Sequence, residues 1–133
     1  MTARVRAPLL AAAVPLAAFA FVAQVGNSRI AQAQAALEDG DYARAAERAE
    51  SARAWAPWSA EPFRVLGTVA IDGGRDREAA EWLADAVERE PARWDLWWLL
   101  AGVSDEDGRR AAGEVRRLNP RADVIPALDE GSP

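Results

Sequence analysis

The chain has no cysteine, no histidine and no lysine among its 133 residues. Without cysteine and histidine there can be no disulfide, no zinc site of the usual ligand types, no thiol nucleophile and no imidazole to move a proton near neutrality. Its sixteen basic residues are all arginine and face 21 acids, for a net charge of −5. Beyond residue 25 the balance is 14 arginines to 21 acids, or −7, which argues against holding nucleic acid through backbone phosphates. What is abundant is alanine, 32 residues, and alanine favours helix over sheet. The length is that of one domain.

The uncharged run 7–25 would span roughly 28 Å as a helix at about 1.5 Å per residue, one bilayer core. Eight of its nineteen residues are alanine and two are proline, so its hydrophobic drive is weaker than that of a leucine-rich span, and Pro15 must be accommodated as a kink. The expectation is a transmembrane anchor over residues 1–26. A cleaved signal peptide competes with it, since Arg4 and Arg6 form a basic leader and Ala18-Phe19-Ala20 fits a small-x-small cut. A buried core helix is the third reading. Arg4 and Arg6 before the run, with Arg29 alone soon after it, put the N-terminus in the cytoplasm and the rest outside.

Sliding the sequence against itself by 34 positions aligns Ala36 with Ala70, Gly40 with Gly74, Ala45 with Ala79, Ala46 with Ala80, Glu47 with Glu81, Ala52 with Ala86 and Pro57 with Pro91. A period of 34 with small residues and a closing proline at fixed places resembles the tetratricopeptide repeat, a pair of antiparallel helices stacked into a solenoid. Residues 60–93 carry the likeness best, through Phe63, Leu66, Gly67, Ala79, Leu83, Ala86 and Pro91. Apart from any family, two helices approach closely only where side chains are small, which marks Gly67, Ala79 and Ala86 as the contact line. Gly74 suits a reversal with positive φ, and Pro91 ends the second helix.

Residues 26–59 follow the same plan through Ala33, Gly40, Tyr42, Ala45, Ala52 and Pro57, but Arg29 and Gln32 stand where large apolar residues are expected. That helix is read as a cap, or as one continuing upward into the N-terminal span. The third unit, 94–120, opens with Trp97, Leu100 and Ala101, and Pro120 arrives 29 residues after Pro91. The five missing residues predict a short helix over 94–104, a turn through Ser104-Asp105-Glu106-Asp107 and a second helix over 107–118. The spacing predicts the other helices over 27–38, 42–55, 60–72 and 76–89. The fold class is therefore all-α: an N-terminal span, about three repeat-like hairpins over 27–120, and a frayed tail over 121–133 that reaches the last repeat through Val124, Ile125 and Leu128.

No set of nucleophile, base and orienter can be assembled, so no catalysis is expected and no cofactor is called for. Asp105-Glu106-Asp107 lacks the glycine-turned loop and distal glutamate of a calcium site, and acids suit a helix start. Gly73-Gly74 follows a helix and has no lysine near it, unlike a phosphate loop. Glu47 and Glu50 sit on helix turns beside arginines, where ion pairing is the ordinary outcome. Of the six tryptophans, Trp55, Trp82 and Trp97 fall on faces that pack inward, while Trp58 and Trp94 lie at repeat junctions. By the same phase, Gln34, Glu38, Arg64, Thr68, Asp72, Asp95 and Trp98 line a groove. A mixed polar lining with one aromatic suits an extended peptide or a glycan. The lysine and asparagine with which some repeat proteins clamp a terminal carboxylate are absent.

The succession of apolar run, Gly26-Asn27-Ser28-Arg29, Gly40-Asp41-Tyr42-Ala43-Arg44-Ala45-Ala46, Pro57-Trp58-Ser59-Ala60-Glu61-Pro62, Trp94-Asp95-Leu96-Trp97 and Leu118-Asn119-Pro120 is similar to the C-terminal region of bacterial O-antigen-ligase-like membrane proteins. There a last membrane helix leads into tetratricopeptide repeats. The resemblance implies a link with cell-surface polysaccharide assembly, as an accessory subunit or a detached tail, without the polytopic catalytic part. The principal expectation is a membrane-anchored repeat scaffold that binds a protein or peptide segment at the cell envelope. A secreted soluble repeat protein follows if the leader is cleaved.

Overall fold

The computed structural model describes the backbone of residues 6–122 and the side chains from Val14 to Ala122. The described residues form six α-helices and no strand: α1 (Arg6–Glu38), α2 (Tyr42–Trp55), α3 (Glu61–Asp72), α4 (Asp76–Arg89), α5 (Trp94–Val103) and α6 (Gly108–Leu118). Each helix packs on the next in the chain, and α1 also touches α3. Three successive hairpins therefore lie side by side.

The punctuation repeats at the level of single hydrogen bonds. After α1, Gly40 at φ +73° lets its own N–H reach Leu37 O and the N–H of Asp41 reach Ala36 O. After α3, Gly74 at φ +66° does the same with Ile71 O, and Arg75 with Ala70 O. This paired closure satisfies carbonyls that a helix end would strand, and it needs a residue free of a Cβ clash in the left-handed region. The second helices end differently. Ala56, Glu90 and Asn119 leave the helix at φ between −132° and −139°, each donating its N–H four residues back. Pro57, Pro91 and Pro120 follow them, and a proline bars the preceding residue from helical dihedrals.

Between the paired helices the contacts are small against large. A Cβ placed on Gly67 would lie 2.8 Å from Leu83 Cγ, so the missing side chain on α3 is the space that fully buried Leu83 of α4 fills. Ala79 and Ala86 are buried on the same helix. Phe63, Leu83, Val87, Leu96, Trp97, Leu100 and Val115 belong to one core that joins the second and third hairpins. Trp97 is buried and donates its indole N–H to Pro91 O at 2.9 Å, which satisfies the one polar atom it brings inside. A second core, thinner and mostly alanine, joins Ala33 and Ala36 of α1, Ala45 and Ala49 of α2, and Val65 and Leu66 of α3. Ala52 is buried as well, whereas Pro57, Pro91 and Pro120 are exposed at the ends of their hairpins. The third hairpin is shortened where the spacing requires, with Ser104 Oγ accepting from the Asp107 N–H at 3.0 Å in the turn.

Several expectations are corrected. Of the two readings of the first repeat helix, the one that continues upward into the N-terminal run holds, because α1 runs unbroken for 33 residues with Pro15 inside it. The expected transmembrane helix is not met, since among the described residues no helix is long and apolar enough to cross a membrane. The side chains of 7–13 lie outside the described residues, as do residues 123–133 of the expected tail, including Val124, Ile125 and Leu128. Trp55 is 38% exposed, not core. It is the last residue of α2, where a Cβ on Gly26 would meet Ala56 Cβ at 3.1 Å. The helix pair closes at that contact, so Trp55 has nothing further to pack on. The earlier part of α1 passes beyond α2, leaving Val14, Leu16, Phe19 and Phe21 each about two-thirds exposed. Trp82 is half-buried, its ring 6.2 Å from that of Phe63.

Gly67→Ala should lower stability by about 1–3 kcal/mol through overpacking against Leu83. In thermal melts the double variant Gly67→Ala/Leu83→Val should lose less than the sum of the two single changes, because the sites are in contact. Strict additivity would refute the assignment.

Candidate functional site

The first helices of the three hairpins, α1, α3 and α5, share one polar face, and its centre is Glu61. This residue opens α3 just ahead of Pro62, which is tolerated there because the first turn needs no N–H donor. The Glu61 carboxylate accepts from Gln34 Nε2 of α1 at 2.8 Å and from Arg64 Nε at 2.9 Å. It also accepts from Arg93, just ahead of α5. Arg93 in turn donates to Asp95 and to Glu90, the latter at 3.3 Å. Glu90 accepts the Ala60 N–H at 3.1 Å, so the junction before α3 is tied to the junction before α5. One chain of charge-assisted bonds thereby crosses all three hairpins.

Electrostatics follow from that geometry. Burial by itself raises the pKa of Glu61, but the bond from Arg93, the charge of Arg64 and the bonds from Gln34 and Arg64 outweigh it, and the net shift is downward. Asp95 raises the pKa of Arg93, burial lowers it and Glu61 raises it again, for a net rise. Both groups are therefore fully charged around neutrality, and the face carries a frame of two arginines and three carboxylates joined by charge-assisted bonds.

Beside this frame opens a cleft of about 430 Å³ lined by Arg64, Trp94, Asp95, Trp98, Leu99 and Ala122. Trp94 and Trp98 are 40% and 38% exposed, so part of each indole lines the cleft. The polar groups at its rim are oriented by the Glu61 and Arg93 bonds, which leaves an apolar floor with fixed charges beside it.

Of the groove residues expected from sequence, Arg64, Asp95 and Trp98 meet in this cleft, and Gln34 joins them through Glu61. Thr68 turns back on its own helix, its hydroxyl donating to Arg64 O at 2.9 Å. Asp72 lies at the far end of α3 and accepts from the Tyr42 hydroxyl, a bond that together with the carboxylate charge raises the pKa of that tyrosine. Glu38 is exposed at the end of α1. Neither lines the cleft. Helical phase alone does not separate the two ends of the face: Asp72 and Glu38 lie at the ends of α3 and α1 next to the glycine turns, away from Trp94 and Trp98. Trp94, placed by sequence at a repeat junction, also lines the cleft, and Glu61, Arg93, Leu99 and Ala122 are not among the expected groove residues. The one signal for Glu61 and Arg93 was their near-equivalent place at the openings of consecutive units, 32 residues apart.

On the opposite side, the Arg89 guanidinium stacks 3.7 Å from the Phe63 ring centre and its Nε donates to Pro57 O at 2.8 Å. Arg53 lies 5.0 Å from the Trp82 ring centre. These contacts bind the hairpins together, and the arginine stems cover aromatic surface. Among the described residues no group of three or more acids is placed to hold a metal ion.

Residues 36–103, just over half of the chain, match the family described as Tetratricopeptide repeat. No curated protein matches the chain.

Glu61→Gln should cost about 1–3 kcal/mol at neutral pH by removing a charged acceptor shared by three donors. Because folding lowers the Glu61 pKa, its contribution is complete above roughly pH 4.3 and is lost as the pH falls below that value. Melting curves of the wild type and the variant should therefore converge toward pH 3. A gap that persists unchanged to that pH would count against the frame.

Proposed function

The chain belongs to the tetratricopeptide repeat family, whose repeats are protein-interaction scaffolds, and we propose that it is a non-catalytic docking module for an extended peptide segment. The observation that carries this reading is the cleft of Trp94, Trp98 and Leu99 set beside Arg64 and Asp95. Its two half-exposed indoles offer a large contact area with little side-chain entropy to lose, the property that makes tryptophan a frequent anchor of interfaces. The neighbouring charges are already held by the Glu61–Arg93 frame, so ordering them costs little on binding. The ligand is read as a segment with one bulky apolar residue for the cleft and polar groups on either side.

Peptides selected from a displayed random library against the full chain should share that apolar residue. Trp98→Ala should weaken them about tenfold or more, while Arg109→Ala, an exposed residue outside the cleft, should leave their affinity unchanged. Equal binding by Trp98→Ala would refute the groove.

The module is proposed to be held at a bacterial cell membrane through the apolar run 7–25, with the repeats outside the cytoplasm. The exposure of Val14, Leu16, Phe19 and Phe21 on α1 supports attachment, since a row of large apolar side chains left in water is otherwise unfavourable. In this reading the full chain floats with lipid vesicles in a density gradient, and deletion of residues 7–25 leaves it at the bottom. Flotation of the deleted form would sink the proposal. The likeness to O-antigen-ligase-like proteins favours a polysaccharide ligase or polymerase as the docked partner, and co-purification from detergent-solubilised membranes tests it.

A further inference from the structure

The first hairpin breaks the repeat pattern at Arg29 and Gln32, and both residues face the same place. With Gln24, Val25 and Ser28 of α1 and Arg48 of α2 they line an open cleft of about 430 Å³ between the two helices. No carboxylate lines it.

Six arginines among the described residues are partly buried: Arg29, Arg48, Arg53, Arg64, Arg89 and Arg93. Arg53, Arg64, Arg89 and Arg93 are each ion-paired, with Glu50, Glu61, Asp85 and the Glu61–Glu90–Asp95 group respectively. Arg29 and Arg48 have no such partner among the described residues, and they are the two that share the cleft. A shortage of acids does not explain this, because the chain has 21 of them against 16 arginines. In addition the Nε of Arg48 is buried with no acceptor. An orphaned donor of that kind is rare in folded proteins, and its presence calls for an unseen acceptor.

The remaining lining is rich in donors. Gln32 Nε2 donates to Ser28 Oγ at 3.3 Å, so the serine hydroxyl keeps its own hydrogen to give, and the Gln24 amide adds two more. Two guanidinium charges, a hydroxyl and amide N–H groups with no opposing carboxylate form a receptor for a doubly charged tetrahedral anion. The planar guanidinium fork matches phosphate oxygens in pairs. A carboxylate would neutralise only one of the two arginines.

We propose that the cleft between α1 and α2 is a phosphate-binding site in which Arg29 and Arg48 hold the phosphate group and Ser28 donates to it. The site is separate from the peptide cleft and does not depend on it. Because α1 leads from the cleft straight into the apolar run, the phosphate of an anionic lipid headgroup and a free phosphate present the same chemistry.

The full chain in maltoside micelles, which bring no phosphate, is titrated with inorganic phosphate at constant ionic strength while the arginine Nε–H signals are followed by NMR. A parallel titration uses bicelles containing phosphatidylglycerol. Saturable shifts of the Arg29 and Arg48 signals are expected, with affinity about tenfold weaker in Arg48→Gln and in Arg29→Gln, the loss typical of one charge-assisted bond pair. Response to inorganic phosphate identifies a soluble ligand, and response to phosphatidylglycerol alone identifies a lipid; either supports the site. No saturable shift in either titration, or equal affinity in the variants, overturns it. Far-UV circular dichroism checks each variant, and if Arg48→Gln is unfolded, Arg29→Gln decides.

Discussion

The close approach of paired helices at small residues is the constraint from which the architecture follows. Leu83 of α4 occupies the space that Gly67 of α3 leaves empty, and Ala79 and Ala86 keep the rest of that interface shallow. Helices held this near must be joined by a tight reversal, which Gly74 supplies with a positive φ and two backbone hydrogen bonds. The outer faces are then free to meet the next hairpin, and Phe63, Trp97 and Leu100 fill that junction. A bulkier contact line would separate the helices, open the junction and remove the common face on which Glu61 and Arg93 meet.

Arginine serves three ends in this lysine-free chain. At Arg93 it is a cross-link between hairpins, bound to Glu61 of α3, and Arg64 holds the same carboxylate from within α3. At Arg89 and Arg53 its flat guanidinium covers the Phe63 and Trp82 rings, a contact that an ammonium group makes less well. At Arg29 and Arg48 it lines a cleft of the first hairpin that no carboxylate lines. The second and third hairpins are thus joined by aromatic and ion-pair contacts, whereas the first has a smaller core made mostly of alanine.

Much of this was legible along the chain. The period of 34, the glycines at 40 and 74 and the prolines at 57, 91 and 120 place five of the helices to within a residue or two, because each signal acts through the local backbone. The groove was legible in part. Arg64, Asp95 and Trp98 follow from helical phase, whereas Asp72 and Glu38 were included by the same phase and lie away from the cleft, since phase carries no information on how far neighbouring hairpins stay parallel. Glu61 and Arg93 were hidden because each lies at a helix opening, where it reads as an ordinary solvated charge. Trp55 was misread for a related reason: its face is right, but α2 ends there.

The sequence by itself determined that this protein is a row of helix hairpins with no reactive centre of the histidine or thiol kind, because alanine content, turn glycines and closing prolines act over a few residues. Only the tertiary structure decided which side chains share a site. Glu61 meets Gln34 and Arg93 across 27 and 32 residues, and Arg29 and Arg48 line one cleft of the first hairpin. Those encounters depend on how closely and at what length each helix lies against its neighbours, a distance set by the summed packing of many side chains and written in none of them singly.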